Sequence, residues 1–183
     1  MKITIVTATW NSGATLRHTM RSVLSQSYPN IEHIIVDGGS TDDTMEIVHE
    51  LEPDYQGRLR YISEKDKGIY DAMNKGIAMA TGDIVGILNS DDFYTGDSVL
   101  STVVSAFENG NIDAVYGDIH YVKDNDLQKC TRYYSSKLFH RRWMRLGFMP
   151  AHPSFYCRKE IYEKYGGFNL SYKIAADFEC LLR

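Results

Sequence analysis

The chain has 183 residues, with 20 Lys and Arg against 24 Asp and Glu for a formal net charge of −4 at pH 7. That is the length of one domain with a core of its own, and 43% hydrophobic with 24% charged residues excludes disorder, collagen and coiled coil for the whole chain. A mildly acidic chain is no polycation, which argues against nucleic acid as partner, and a polyanionic substrate would call for a metal ion or a few placed basic residues.

Residues 2–8 form an apolar run, too short for a signal-peptide core and followed by Trp10-Asn11-Ser12-Gly13 where a small-residue cleavage site would stand. They read as a first buried strand. Leu16, Met20, Val23 and Leu24 then share a helical face, and Tyr28-Pro29-Asn30 stops it. A second strand, residues 31–36, ends in Asp37-Gly38-Gly39-Ser40. Thr41, Asp42 or Asp43 can cap the next helix, with Glu46 spaced to close a capping box on Asp43 and with Met45, Val48 and Leu51 facing inward. Residues 59–63 are a third strand. A helix from about Ile69 turns Met73 and Ile77 inward, with Gly82 as its stop signal, and residues 83–88 are a fourth strand running into Asn89-Ser90-Asp91-Asp92. Val99, Val103, Val104 and Phe107 mark another helix, ending near Gly110.

This alternation predicts an α/β fold with a doubly wound, mostly parallel sheet and right-handed crossovers. Ligands of such sheets lie beyond the carboxyl ends of the strands, where the strand order reverses. The second half changes character. Residues 114–123 and 127–134 look like a hairpin around Asp124-Asn125-Asp126. A basic aromatic run from Lys137 through Arg145 follows, then a short strand at 154–157, a helix at 159–165, Gly166-Gly167 and a helix over 175–183. No linker and no internal repeat divides the chain, so one domain with a changed second half is expected.

The chemistry-bearing residues follow the strands: Thr9, Trp10 and Asn11, then Asp37, then Glu64, Asp66 and Lys67, then Asn89, Asp91 and Asp92. Carboxylates gathered at strand ends repel one another unless a cation or a donor-bearing ligand relieves them. Asp91 and Asp92 suit a hard divalent ion held by one or two carboxylates and substrate phosphates, and equally a plain turn. Asp37 can accept the ring N–H of uracil or of guanine, or simply shape the turn before Gly38. No G-x-G-x-x-G, G-K-[ST] or H-E-x-x-H motif is present. Cys130, Cys157 and Cys180 are odd in number and widely spaced, which suits reduced thiols in the cytoplasm better than a disulfide framework or zinc.

Three segments taken together carry a resemblance: Val36-Asp37-Gly38-Gly39-Ser40-Thr41-Asp42, then residues 63–76 (SEKDKGIYDAMNKG), then Leu88-Asn89-Ser90-Asp91-Asp92. In order and spacing they resemble the family 2 inverting glycosyltransferases of the GT-A fold, and within them enzymes of bacterial exopolysaccharide, O-antigen and capsule assembly. The resemblance implies that Thr7, Thr9, Asp37, Asp66, Gly68 and Asp91 bind the nucleotide, with UDP favoured. It implies that Asp91 and Asp92 hold Mn²⁺ or Mg²⁺, although Asn89 stands where the family's D-x-D motif commonly begins with Asp. It implies that Asp177 is the catalytic base and that His152 lies on the acceptor side. Asp177 also fits an ordinary helix cap, and a helix N-terminus favours negative charge. The implied partners are a nucleotide-sugar donor and a glycan or lipid-linked acceptor. The Lys137–Arg145 run is either a solvated face or a contact with the inner surface of the cytoplasmic membrane, with Trp143 and Phe139 dipping in. The resemblance implies that residues 1–112 are a nucleotide-binding half and 113–183 a smaller, mixed or antiparallel acceptor half; family members often continue with further helices, so a truncated acceptor half is expected. A nucleotide-sugar-binding protein without turnover and a nucleotidyltransferase are the alternatives.

Overall fold

The computed structural model describes residues 1–123, 126–137 and 139–183. Four parallel strands, β1 (Ile3–Thr9), β2 (Ile31–Asp37), β3 (Leu59–Ser63) and β4 (Ile84–Ile87), lie in the order β3-β2-β1-β4. Strand β8 (Phe155–Arg158) runs antiparallel beside β4, and β5 (Ala114–Tyr116) runs antiparallel beside β8. Every residue of β1, β2 and β4 is buried, as expected of strands covered on both faces. One face packs on α1 (Leu16–Leu24), α2 (Thr44–Leu51) and α4 (Val99–Asn109), through residues such as Met20, Val48 and Phe107. The other packs on α3 (Ile69–Met79), α5 (Lys159–Tyr165) and α6 (Ala176–Leu182), through Met73, Tyr162 and Ala176. The expected α/β sheet with helices on both faces is what the chain forms.

Buried polar side chains fix the sheet at two places. Glu32, at the start of β2, accepts from Thr4 Oγ1 at 2.7 Å, Thr81 N at 2.8 Å and Thr81 Oγ1 at 2.8 Å, with Lys2 Nζ at 3.3 Å. Burial alone would raise its carboxyl, but these donors outweigh burial and hold it down to about 2. His33, fully buried in β2, lies 2.7 Å from the Tyr55 hydroxyl through Nδ1 and 3.0 Å from Thr7 Oγ1 through Nε2. Tyr55 donates its one proton to Met20 O at 2.8 Å, so His33 Nδ1–H donates to Tyr55 and Nε2 accepts from Thr7. Burial lowers this neutral imidazole to about 3.

Several local expectations are corrected. The strand anticipated over 114–123 is two strands, β5 and β6 (Ile119–Lys123), broken at Gly117-Asp118. The break is held because Ser154 Oγ donates to Gly117 O at 2.9 Å and Asp118 accepts from Ser136 N at 2.6 Å and from the Tyr133 hydroxyl. Strand β6 pairs with β7 (Asp126–Tyr134) as a separate two-stranded ribbon. Of the hairpin turn, Asp124 and Asn125 lie outside the described residues, as does Leu138 in the basic run. Asp43 forms no capping box, because its side chain makes no cap bond; Asp42 instead accepts from Thr44 N at 3.1 Å and Gly13 N at 3.0 Å, tying the loop after β1 to α2. Gly82 is not the end of α3, which stops at Met79 with Ala80 as its cap. Among the described residues, the Lys137–Arg145 run carries a short 3-10 helix, Arg141–Leu146.

Candidate active site

The strand order reverses between β1 and β4, so the loops after these two strands flank the crevice that parallel sheets use for ligands. Ser12 Oγ and Ser90 Oγ meet there at 2.9 Å, and Thr19 Oγ1 on α1 donates to Ser90 O at 3.0 Å and Asp92 O at 2.7 Å. On the β2 side, Gly38 N donates to Thr9 O at 2.9 Å. A Cβ on Gly38 would stand 2.6 Å from Asp66 Oδ2 and 3.5 Å from Trp10, so the missing side chain is what lets three loops close on one point. Asp66 Oδ1 accepts from Gly68 N at 2.8 Å, and Gly68, at φ 114°, takes a backbone conformation that glycine alone adopts without strain. Trp10 is 67% exposed beside this pocket. The sequence list of strand-end residues contained Trp10, yet no role followed from it; the signal was a large aromatic in a polar loop, which packing does not require.

Thr9 Oγ1 is buried and has no hydrogen-bond partner among the described residues. An orphaned hydroxyl at a strand end is unfavourable unless something binds it. Two other residues expected at the nucleotide have protein partners here. Thr7 is fully buried, with its hydroxyl held by His33. Asp37 is also fully buried: its Oδ2 accepts from Gly39 N at 3.1 Å, Ser40 N at 3.0 Å and Ser63 Oγ at 2.6 Å, and Oδ1 accepts from Ser40 Oγ. Its carboxylate shapes the turn on which Gly38 sits.

Asp91 is exposed and Asp92 half-buried at the mouth of the same crevice. Asp92 Oδ2 accepts from Asn89 Nδ2 at 2.9 Å. Loss of water raises the Asp92 carboxyl; the Asn89 bond counters this, and the Asp91 charge adds to it. A cation would relieve both unfavourable causes, so the pair fits a divalent ion completed by substrate phosphates. Among the described residues no three His, Cys, Asp or Glu side chains gather as a metal site, so the protein alone offers less than a full ligand set.

The second half adds a cleft of about 460 Å³ lined by Tyr70, Gly147, Met149, Ile174, Ala175, Asp177 and Phe178. The Tyr70 hydroxyl donates to Asp177 Oδ1 at 3.3 Å. Phe168 packs on Tyr70 at 5.5 Å and on His152 at 5.3 Å between ring centroids. Burial pushes the His152 imidazole down, and the nearby Asp177 charge only partly restores it. Asn74 fastens this group to α3: its Nδ2 donates to Phe168 O at 2.8 Å and its Oδ1 accepts from Phe168 N at 2.7 Å. Ala175, just ahead of α6, is left-handed at φ 64°, which costs an alanine about 1 kcal/mol. Tyr70 and Asn74 lie within the segment 63–76, but their roles are not legible there, since their partners stand 107 and 94 residues further along the chain. Asp66 and Tyr70 are four residues apart, so pocket and cleft are within ~14 Å along the backbone.

The sequence model of glycosyl transferase family 2 matches residues 4–166. The chain belongs to this family. A relative from Mycobacterium tuberculosis (strain CDC 1551 / Oshkosh), described as an uncharacterized glycosyltransferase, is 35% identical over 185 residues, covering 99% of this chain and 68% of the relative. A PGL/p-HBAD biosynthesis glycosyltransferase of Mycobacterium bovis (strain BCG / Pasteur 1173P2) is 29% identical, covering 98% of this chain and 68% of the relative. The GT-A architecture recurs in S. aureus TarS 1-349 in complex with UDP, with a TM-score of 0.79 and 20% identity over 98% of this chain and 54% of that one. It recurs in the mannosyltransferase PcManGT from Pyrobaculum calidifontis in complex with GDP-Man and Mn²⁺, with a TM-score of 0.72 and 22% identity over 96% of this chain and 49% of that one. The chain thus spans about half the length of these two solved chains.

Proposed function

We propose that the protein is an inverting glycosyltransferase that moves a sugar from a nucleoside diphosphate sugar, with UDP as the favoured nucleotide, to a hydroxyl of a glycan or lipid-linked acceptor in surface-polysaccharide or glycolipid assembly. The observation that carries this reading is the seam between the halves, where the strand-end crevice and the Asp177 cleft adjoin through α3. The base of the nucleotide stacks on Trp10 and rests over Gly38, with the Asp66 carboxylate and the Thr9 hydroxyl as hydrogen-bond partners. Asp37 and Thr7 act as positioning residues beneath it. The UDP and GDP-Man complexes of the two solved neighbours support a nucleotide sugar as donor.

Asp91 and Asp92 are the residues that would hold Mn²⁺ or Mg²⁺, which when bound offsets charge growing on the leaving diphosphate. The acceptor hydroxyl lies in the cleft, and Asp177 takes its proton as the oxygen attacks the anomeric carbon from the side opposite the diphosphate. Tyr70 holds one Asp177 oxygen and leaves the other for the acceptor. His152, neutral at physiological pH, lines the acceptor side as a donor or acceptor without adding positive charge. The enzyme works in the cytoplasm, and a lipid-linked acceptor would bring it to the inner face of the cytoplasmic membrane.

Melting curves with UDP and GDP, each with and without Mn²⁺, test the donor half. A ligand at 100 times its Kd stabilises the fold by about 2.7 kcal/mol. A metal-dependent shift with UDP is expected; no shift with either nucleotide overturns the reading.

A further inference from the structure

This acidic chain concentrates its positive charge in one stretch: residues 123–145 hold seven of the 20 Lys and Arg and two of the 24 Asp and Glu. Within it, the 3-10 helix Arg141–Leu146 buries none of its side chains. Trp143, Leu146 and the following Phe148 are 48%, 70% and 56% exposed. Trp143 and Phe148 meet edge to face at 6.1 Å, so these two rings form one patch, and Leu146 lies between them in the chain. Among the described residues, no carboxylate pairs with Arg141, Arg142 or Arg145. Gly147 and Met149, the neighbours of Phe148, line the Asp177 cleft, and so does Ile174, which is 83% exposed and preceded by Lys173. Clustered apolar side chains rimmed by unpaired cations mark an interaction surface, and their chemistry matches the headgroup region of an anionic bilayer.

We propose that Trp143, Leu146 and Phe148 form a wedge that enters an anionic lipid surface, while Arg141, Arg142 and Arg145 meet lipid phosphates. The wedge differs from the one expected from sequence. Phe139 is half-buried and packs on Tyr116 at 5.2 Å, so it is not available to lipid. Trp is favoured at the headgroup level, where its ring spans apolar and wet layers. Each basic side chain close to an anionic surface strengthens binding about fivefold. Docked in this way, the cleft faces the bilayer, and its rim is the part of the protein nearest the lipid. Use of that orientation to receive a lipid-linked acceptor rests on the transfer reading above, but the docking itself does not. No helix among the described residues is long and apolar enough to cross a membrane, so the wedge is a contact with the surface.

Co-sedimentation with phosphatidylcholine vesicles, with and without phosphatidylglycerol, tests this. The wild-type chain is expected to pellet with the phosphatidylglycerol vesicles, and to release at least tenfold as salt rises from about 0.1 to 0.5 M. The triple variant W143S/L146S/F148S and the triple variant R141Q/R142Q/R145Q should each lose this binding while keeping the wild-type melting temperature and its UDP–Mn²⁺ shift. Wild-type protein that stays in solution with phosphatidylglycerol vesicles overturns the proposal, as do variants that pellet like wild type. So does light scattering that finds a dimer dispersed by the wedge substitutions, which would assign the patch to a second copy of the chain. Vesicle binding without any nucleotide shift would sink the transfer reading and leave the docking intact.

Discussion

The two halves of this molecule are built by different physics. In the first, β1, β2 and β4 are buried along their whole length, and two apolar clusters clamp the sheet from both sides. In the second, β7 has eight exposed residues out of nine, and the 3-10 helix before the cleft buries none. Strand β8 and helices α5 and α6 share the buried clusters, through Tyr156, Tyr162 and Ala176, but the stretches between them are set by specific ties, Asn74 to Phe168, Tyr70 to Asp177 and Ser154 to Gly117. The lesson is a division of labour. Hydrophobic burial fixes the sheet and its helices, and a small number of directional bonds set the cleft-lining segments against them. Directional bonds can be removed one at a time, which makes the contrast testable.

The largest effect is expected at Asp177. Asp177→Asn should lower transfer by about 10³-fold, in the range of general-base loss, while nucleotide affinity stays within about twofold. Loss of both in a calorimetric titration would place Asp177 in the donor pocket and dissolve the division. The scaffold half should show itself in acid. Folded His33 stays neutral down to about 3, whereas in an unfolded chain histidine protonates near 6.5. Protons therefore favour the unfolded state, and stability falls by about 1.4 kcal/mol per unit as pH drops from 6.5 toward 3. Urea titrations at several pH values should find this slope, and His33→Gln should flatten it.

Asn74→Ala removes both bonds to Phe168 and leaves a backbone N–H and C=O without partners, at about 2 kcal/mol. Transfer should fall at least tenfold with little change in the UDP shift; an unchanged rate would mean that α3 does not govern the cleft. Trp10→Ala should do the reverse, weakening nucleotide binding about tenfold by loss of stacking, with the melting temperature unaltered. The smallest effect belongs to Asp92. Its carboxyl is raised chiefly by loss of water, so its charge opposes folding at neutral pH. Asp92→Asn should raise the melting temperature of the ligand-free protein by about 2 °C, while abolishing the manganese-dependent part of the UDP shift.

Legibility followed the same divide. The four parallel strands were plain as apolar runs because burial on both faces leaves room for little else. The break at Gly117-Asp118 was hidden, since what interrupts the strand is the distant Ser136 and Ser154. At the site, the residues after β1 and β4 meet at the crevice where the strand order reverses, as parallel sheets lead one to expect. Which of them face it was not readable: Thr7 and Thr9 are two positions apart and equally polar, but one hydroxyl is taken by His33 and the other is unpartnered. Asp37 and Asp66 likewise differ only in how many donors the fold aims at them.

The anchor at Asn74 addresses Phe168 solely through the peptide group, one amide gripping another. Such a grip leaves the choice of side chain at 168 to its packing on Tyr70 and His152. The segment beyond it, exposed from Asn169 through Ala175, is under no such demand and is free to drift in sequence, while the rod that carries Asn74 continues to hold its first residue in register.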